Sequence, residues 1–170
     1  FARRGNGVTN STETIHVDLG PRSYDIRIGT GNLASLGEGL LSSGPLHHAV
    51  IITDENVETP HANAVAKSLT DEDVDLTVLV VPAGETSKSL DAADQLWQQL
   101  VDLGTDRQSA IVAVGGGVVG DLAGFIAATY ARGLSFIQVP TTLLAQVDSS
   151  VGGKVGINLP QAKNMVGAFW

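Results

Sequence analysis

SAIVAVGGGVVGDLAGFIAATYAR, residues 109–132, is the stretch that decides the fold. It begins with a short apolar run, Ala110 to Val114, which is typical of a buried strand. Three glycines follow, Gly115 to Gly117. Apolar residues at helical spacing come next, and we expect them to form one buried stripe: Val118, Leu122, Phe125, Ile126 and Tyr130. The stretch therefore predicts a strand, a glycine turn and a helix, in that order.

The glycine turn indicates a site for phosphate or pyrophosphate. Glycine lets the backbone turn tightly and brings bare N–H groups close to a ligand. The helix N-terminus behind the turn adds unpaired donors and a partial positive charge. Asp121, one turn into the helix, could cap the turn or accept a hydrogen bond from a ligand. The alternative is a tight connection without a ligand, because the dinucleotide fingerprint is matched only in part, by Gly115, Gly117 and Gly120.

Composition narrows the class of protein. The chain has 170 residues, is 43% hydrophobic, has no cysteine and carries a net charge of −8. That length and hydrophobic content predict one packed domain. No apolar run approaches the ~20 residues of a transmembrane helix, so we expect no membrane. The negative charge argues against a nucleic-acid surface, and the absence of cysteine favours the cytoplasm.

The two ends of the chain differ in character. Residues 1–13 are polar and predict a disordered tail or linker, so the domain is expected over residues 14–170. The last residues, 165–170, are apolar, whereas domains usually end in exposed polar residues. We therefore expect the natural polypeptide to continue beyond this chain.

Strand and helix patterns alternate through the rest of the sequence. A turn at residues 20–23 predicts a hairpin between strands His16–Leu19 and Tyr24–Ile28. The further elements are a helix at 33–41, a strand at 49–53, a helix at 62–69, a strand at 76–81, a helix at 90–101 and a strand at 136–139. The predicted fold is α/β, with a Rossmann-like, mostly parallel sheet, helices on both faces, and a preceding β-hairpin.

The helix at 90–101 carries two further predictions. Its inward residues are expected to be Leu90, Ala93, Leu96, Trp97, Leu100 and Val101. Thr86 or Ser87 is expected as its N-cap.

Polar residues follow each strand of the predicted sheet. They are Asp54 and Asn56, then Glu85 and Lys88, then the glycines, then Thr141 and Thr142. Ligands of such sheets bind beyond the carboxyl ends of the strands, so we expect these groups to converge on one crevice. Taken singly, each could also be an ordinary loop or cap residue.

The last stretch adds an acid, two lysines and two asparagines: Asp148, Lys154, Asn158, Lys163 and Asn164. Lysines suit phosphate and carboxylate groups, and an acid beside them could hold a lysine or transfer a proton. The alternative is a solvated loop with paired charges. Arg132 is of the kind that complements a helix C-terminus. The four histidines lack metal-ligand spacing, so no metal is assigned to this chain.

Three segments together resemble the 3-dehydroquinate synthase family of sugar-phosphate cyclases: GGGVVGDLAGFIAATYARG, VPTTLLAQVDSSVGGKVGIN and KNMVGAFW. The resemblance covers residues 46–170. It implies an NAD-dependent, phosphate-eliminating carbon–oxygen lyase of the shikimate pathway, which leads to chorismate and the aromatic amino acids. The implied reaction converts 3-deoxy-D-arabino-heptulosonate 7-phosphate to 3-dehydroquinate.

The resemblance also implies roles for individual residues. Those implied to bind the cofactor are Asp54, Asn56, Glu85, Lys88, Gly116, Gly117, Asp121, Thr141, Thr142, Lys163 and Asn164. Asp148 and Lys154 are implied to be catalytic. Arg132, Asp148, Lys154 and Asn164 are implied to contact substrate, Arg132 in some members across a dimer interface. Two positions depart from the family pattern, Val155 for a threonine and Ala162 for a glycine.

In that family a helical second half supplies the ligands of a zinc or cobalt ion. The chain is therefore expected to be the nucleotide-binding half, inactive alone, part of a homodimer and possibly of a larger multidomain polypeptide. Three alternatives stay open. They are another cyclase (a 2-deoxy-scyllo-inosose or valiolone-type synthase), a glycerol-dehydrogenase-like enzyme, and a non-catalytic nucleotide-binding module of a fusion protein.

Overall fold

The computed structural model describes residues 12–170. The tail predicted at the N-terminus lies almost wholly outside these residues. The strands and helices are β1 Glu13–Val17, β2 Tyr24–Ile28, α1 Leu36–Leu41, β3 His48–Asp54, α2 Asn63–Thr70, β4 Asp75–Val81, α3 Leu90–Asp102, β5 Ala110–Gly115, α4 Gly117–Thr129, β6 Ser135–Pro140, β7 Lys154–Leu159 and β8 Ala162–Phe169. Within this range no helix is both long enough and apolar enough to cross a bilayer.

The central feature is a parallel sheet of four strands in the order β4-β3-β5-β6. β3 and β5 form its middle, in a register that pairs Ile51 with Val112. All six residues of β5 are buried. Continuous apolar strands of this kind are expected where helices cover both faces of a sheet. The predicted parallel α/β fold is therefore confirmed.

The two faces of the sheet carry separate cores. Val50 and Ile52 of β3 point to one face, where they join buried residues of α3 and α4. Ala49 and Ile51, one residue out of phase, point to the other face, where they pack with α2 and α1. This alternation follows from the two-residue period of a strand. Helices thus cover both faces, as predicted.

Helix α4 is buried over more of its surface than the sequence pattern predicted. Of the predicted stripe, Leu122, Phe125 and Ile126 are buried, and Val118 and Tyr130 are half-buried. Val119, Ala123 and Ala127 are buried in addition. The second buried side packs against β7, with which Gly124 is in close contact. A Cβ atom on Gly124 would lie 2.2 Å from Val155 Cγ1. The prediction of a single stripe was wrong because it did not include this second layer.

That second layer is an antiparallel hairpin of β7 and β8, which the sequence analysis did not predict. For residues 154–169 the alternative of a solvated loop is wrong. Val155 and Ile157 are buried on the side facing α4, while Lys154 and Leu159 are exposed. Gly156 and Gly167 pair across the hairpin. Glycines are rare in strands, which is why this segment did not indicate β-structure.

The predicted hairpin near the N-terminus is confirmed, with Ile15 opposite Ile26. Two details of α3 differ from prediction. Leu90 and Val101 are 52% and 65% exposed, because they lie at the two ends of the helix, away from the sheet. The N-cap is Ser89, whose Oγ accepts a hydrogen bond from the Ala92 N–H at 3.2 Å. Neither Thr86 nor Ser87 takes that role.

Candidate functional site

The carboxyl ends of the four parallel strands meet along one edge of the sheet. Asp54 lies beside Val81, and Gly115 lies beside Pro140. The polar residues that follow β3, β4, β5 and β6 therefore begin along the same edge. Helix α4 also starts here, so its positive end points to this edge.

The glycine turn leaves the start of α4 without a side-chain cap. Gly116 is the N-cap residue and offers no side-chain acceptor, and the first N–H groups of a helix have no partner within it. A Cβ on Gly116 would lie 3.2 Å from Thr142 Cγ2, and one on Gly117 would lie 3.1 Å from Ser149 Oγ. The segment after β6 thus packs directly on the turn, and both positions favour glycine.

Thr141 supplies an unused hydroxyl next to this turn. Its backbone N–H donates to the Gly115 carbonyl at 2.9 Å. Its side-chain oxygen is buried and has no hydrogen-bond partner among the described residues. A buried polar group without a partner is costly. A bound ligand with a polar group at this point would remove that cost, so the site fits a polar ligand such as a nucleotide.

Lys88 is only 5% exposed and lies at the centre of a cluster that it forms with Asp121 and Asn164. Its ammonium group contacts the Asp121 carboxylate and the amide oxygen of Asn164. A buried charge is tolerated when it is paired and hydrogen-bonded. The three residues come from the segment just before α3, from α4 and from β8. The lysine therefore joins three elements beside the glycine turn.

A second group of contacts extends from this cluster through Glu85. Its carboxylate accepts a hydrogen bond from Asn158 Nδ2 at 2.7 Å and lies 3.9 Å from Lys163 Nζ. An open cleft of about 410 Å³ runs between the start of α3 and the tip of the β7–β8 hairpin, with Glu85, Lys88 and Asn158 in its wall. The cleft is large enough for part of a small-molecule ligand.

Other predicted site residues lie apart from the Lys88 cluster. Asp54 Oδ1 accepts a hydrogen bond from the backbone N–H of Asn56 at 2.9 Å. This is the ordinary loop role that was the alternative to ligand binding for Asp54 and Asn56. Asp148 is exposed, in the helical turn Ala145–Ser149. Lys154 is exposed where β7 begins and pairs with Phe169. It lies about 13 Å from Asn158 at the ordinary rise of a strand.

Arg132 lies at the other end of α4 from the glycine turn. The helix has 13 residues, so the two ends are about 20 Å apart at 1.5 Å per residue. Arg132 is exposed and has a left-handed backbone, with a φ of 69°. Within one copy of the chain it does not reach the crevice.

Two of the histidines make side-chain contacts. His48 Nδ1 lies 2.9 Å from Ser109 Oγ, and His16 Nδ1 lies 2.7 Å from the Asp25 carboxylate. Within residues 12–170 there is no group of three or more His, Cys, Asp or Glu side chains that could hold a metal ion.

Two residues near the site received no role from the sequence. Asn158 links Glu85 to the hairpin, and Ser149 packs on Gly117. In residues 154–159 every second residue is apolar, beginning at Val155 and continuing through Ile157 and Leu159. That alternation is the signal by which the strand carrying Asn158 could have been found.

The fold and the site together define a Rossmann-like α/β domain whose glycine turn and helix N-terminus can receive an anion. The chain belongs to the 3-dehydroquinate synthase family. The family model described as 3-dehydroquinate synthase N-terminal matches residues 78–170.

The similar relatives carry the name of that family, and two similar solved structures are of other synthases. The chain is 50% identical over 169 residues to 3-dehydroquinate synthase from Rhodopirellula baltica, covering 96% of this chain and 45% of the relative. It is similar to a 2-deoxy-scyllo-inosose synthase complexed with carbaglucose-6-phosphate, NAD+ and Co2+, with a TM-score of 0.83, 30% identity, and coverage of 93% of this chain and 42% of that chain.

A third match is 2-epi-5-epi-valiolone synthase from Streptomyces hygroscopicus subsp. jinggangensis with NAD+ and Zn2+ bound. Its TM-score is 0.68 at 28% identity, over 76% of this chain and 36% of that chain. The chain thus spans less than half the length of the proteins it matches.

Proposed function

We propose that this chain is the nucleotide-binding half of a 3-dehydroquinate synthase, a phosphate-eliminating lyase of the shikimate pathway. The reaction would convert 3-deoxy-D-arabino-heptulosonate 7-phosphate to 3-dehydroquinate. The observation that carries the proposal is the buried Lys88–Asp121–Asn164 cluster beside the uncapped glycine turn. The chain that carries this cluster is 50% identical in sequence to the Rhodopirellula 3-dehydroquinate synthase.

The cofactor of the proposed enzyme is NAD+, which supplies a reversible hydride acceptor when bound. The backbone N–H groups of Gly116 and Gly117, at the positive end of α4, suit its pyrophosphate. The unpaired Thr141 hydroxyl offers a further hydrogen bond. The remaining residues proposed to bind the cofactor are Asp54, Asn56, Glu85, Lys88, Asp121, Thr142, Lys163 and Asn164.

The proposed substrate is a sugar phosphate held between this half and the rest of the enzyme. Lys154 is an exposed ammonium that suits a phosphate or carboxylate. Asp148 is an exposed carboxylate able to accept a proton. Asn164 presents its amide at the border of the two sites. These three residues are proposed to bind substrate, with Asp148 and Lys154 catalytic.

Arg132 is proposed to reach the substrate of a second copy, in a homodimer. Support comes from its position, because it lies about 20 Å from the glycine turn of its own chain at the ordinary helix rise. The backbone of Arg132 is left-handed, which is unfavourable for arginine. Backbone conformations of this kind are commonly kept at functional sites.

The divalent metal of the proposed enzyme, zinc or cobalt, would be held by residues outside this chain. Support comes from two similar structures, which contain Co2+ and Zn2+. The enzyme is proposed to be cytoplasmic, and support comes from the absence of cysteine in this chain.

The second candidate is a cyclase that acts on a different sugar phosphate, favoured by the TM-score of 0.83 to 2-deoxy-scyllo-inosose synthase. The sequence identity is 30% to that enzyme and 50% to the Rhodopirellula synthase, so we prefer 3-dehydroquinate synthase.

Phosphate release decides between the two cyclases. We would complete this chain with the C-terminal half of the Rhodopirellula synthase and assay three sugar phosphates. Release from the heptulosonate phosphate alone is expected. Release from glucose 6-phosphate or sedoheptulose 7-phosphate instead would overturn the assignment. The 170-residue chain alone is expected to release none.

A further inference from the structure

Asn158 makes three hydrogen bonds that join three parts of the site. Its backbone N–H donates to the Lys88 carbonyl at 2.9 Å. Its side-chain Nδ2 donates to Glu85 Oε1 at 2.7 Å. Its Oδ1 accepts the backbone N–H of Asn164 at 2.9 Å. Each of these partners is a residue proposed above to meet the ligand, whereas Asn158 itself has no assigned role.

The chemistry of its partners fixes the orientation of the Asn158 amide. An ionised carboxylate can only accept hydrogen bonds, and a backbone N–H can only donate one. The NH2 group must therefore face Glu85, and the oxygen must face Asn164. A side chain of the same size can serve both partners only if it carries one donor and one acceptor.

Asn164 depends on this support because its backbone is unfavourable. Its φ of 58° is left-handed, a conformation that asparagine adopts more readily than most residues but still at some cost in free energy, so it persists where its surroundings hold it. Its amide oxygen contacts the Lys88 ammonium. A change in the Asn164 backbone would therefore also move one of the two groups that hold the buried lysine.

We infer that Asn158 is a positioning residue for the cofactor site. It holds the Glu85 carboxylate and the Asn164 backbone in the orientation in which they meet the ligand. The inference rests on the proposed function, since Glu85 and Asn164 are the residues it would position. It goes beyond that function by assigning the geometry of two ligand contacts to one side chain in β7.

Two variants of the 170-residue chain test the inference. Asn158→Asp keeps the size and the acceptor but places a second carboxylate against Glu85. Asn158→Ala removes both side-chain hydrogen bonds without adding charge. Gln161→Ala, at the exposed tip of the same hairpin, is the matched control. The two measurements are amide hydrogen exchange by NMR, without ligand, and calorimetric titration with NAD+.

We expect the Asn164 amide to exchange about tenfold faster in Asn158→Ala, roughly the factor that corresponds to one net hydrogen bond. In Asn158→Asp it should also exchange faster, because repulsion from the Glu85 carboxylate turns the introduced carboxylate away from the Asn164 N–H. Amides of β5 should keep the rates of the unsubstituted chain, which shows that the fold is intact. NAD+ affinity should fall at least about fivefold, as expected for two misplaced polar contacts. Gln161→Ala should change neither quantity.

A pH series separates positioning from simple space filling. In Asn158→Asp, acidification to about pH 4 protonates part of the introduced carboxyl groups, which can then donate to Glu85 as the amide does. Relative to the unsubstituted chain at the same pH, protection of the Asn164 amide should then return. Asn158→Ala has no such group and should show no recovery.

Three results are decisive. Unchanged Asn164 exchange in both variants, or unchanged NAD+ affinity in a folded variant, would overturn the inference. An unsubstituted chain that protects Asn164 but binds no NAD+ would overturn the proposed function. In that case faster Asn164 exchange in the variants would still support positioning by Asn158, because that measurement needs no ligand.

Discussion

Lys88 shows what the site requires at the scale of one residue. Among residues 12–170 it is the charged side chain that the fold buries, at 5% exposure. Asp121, its counter-charge, is 24% exposed. If Lys88 is removed, water can hydrate the Asp121 carboxylate. If the charge of Asp121 is removed, water cannot reach the buried Lys88 ammonium.

This difference predicts an asymmetry between two substitutions. Asp121→Asn leaves a buried ammonium without a counter-charge and should lower the free energy of unfolding by about 2–3 kcal/mol, somewhat less than for a fully buried pair. Lys88→Met fills the same space and leaves a carboxylate that water can reach, so it should cost about 1 kcal/mol. Urea denaturation at neutral pH measures both. A larger loss for Lys88→Met would contradict this account of the pair.

Asp106, in the turn before β5, gives a prediction on pH. The Gln108 backbone N–H donates to its carboxylate at 2.9 Å and lowers the pKa of Asp106 below its usual value. Burial acts in the opposite direction, and a hydrogen bond from Ser109 lowers the pKa further. Because the pKa is lower in the folded state, the carboxylate stabilises the fold above its unfolded pKa, and this contribution is lost as pH falls through the folded pKa.

Asp106→Asn keeps an acceptor for the Gln108 N–H but cannot titrate. Between about pH 5 and about pH 2, the range in which an aspartate with a lowered pKa titrates, the urea midpoint of the unsubstituted chain should fall more steeply than that of the variant. Parallel slopes would show that the folded state does not lower this pKa.

At the scale of elements, α4 and the β7–β8 hairpin depend on one another. Gly124 is the point of closest approach, where a Cβ would meet Val155 Cγ1 at 2.2 Å. Such a distance forces the hairpin to move. The hairpin carries Asn158 and Asn164, so its distance from α4 also sets the position of Lys88 and its partners.

Gly124→Ala should therefore destabilise the chain by about 1–3 kcal/mol, the usual cost of overpacking, although alanine is the better helix former by about 1 kcal/mol. Gly120→Ala is the matched control, since its Cβ would meet only the end of the Gln138 side chain, at 3.0 Å. Adding Val155→Ala should restore part of the loss. A Gly124→Ala chain as stable as the control would contradict the packing described here.

The elements also show where sequence reasoning succeeds. The strand at 110–114 and the glycine turn follow from a continuous apolar run, rich in β-branched residues, that ends in three glycines, because few other structures accept that pattern. The hairpin at 154–169 was missed because its glycines, Gly156 and Gly167, mask the alternation of buried and exposed residues. The second buried side of α4 was missed for the same reason, since it depends on what that hairpin covers.

At the scale of the whole molecule, the sequence predicted which polar residues follow the strands at the carboxyl edge of the sheet. It did not predict which of these residues contact one another. That Lys88 and Asp121 lie beside the glycine turn follows from the order of parallel strands. That Asn164 completes the cluster does not, because it depends on a hairpin returning across α4. Arg132 is separated from the crevice by the length of α4, a separation that already follows from the helix predicted between the glycine turn and Arg132.

The chain also spans less than half the length of its relatives, 45% of the Rhodopirellula synthase. Its two cores are nonetheless formed entirely from its own residues. The edge proposed to bind the cofactor is therefore preformed in this chain, where Lys88 contacts both Asp121 and Asn164.

Calorimetric titration of the 170-residue chain with NAD+ tests that claim most directly, with Asp121→Asn as the comparison. We expect binding in the micromolar to low-millimolar range, about 4–8 kcal/mol, weakened at least about fivefold by the substitution in a chain that is still folded. No binding by the folded, unsubstituted chain, or equal binding by both chains, would contradict a preformed NAD+ site at this edge.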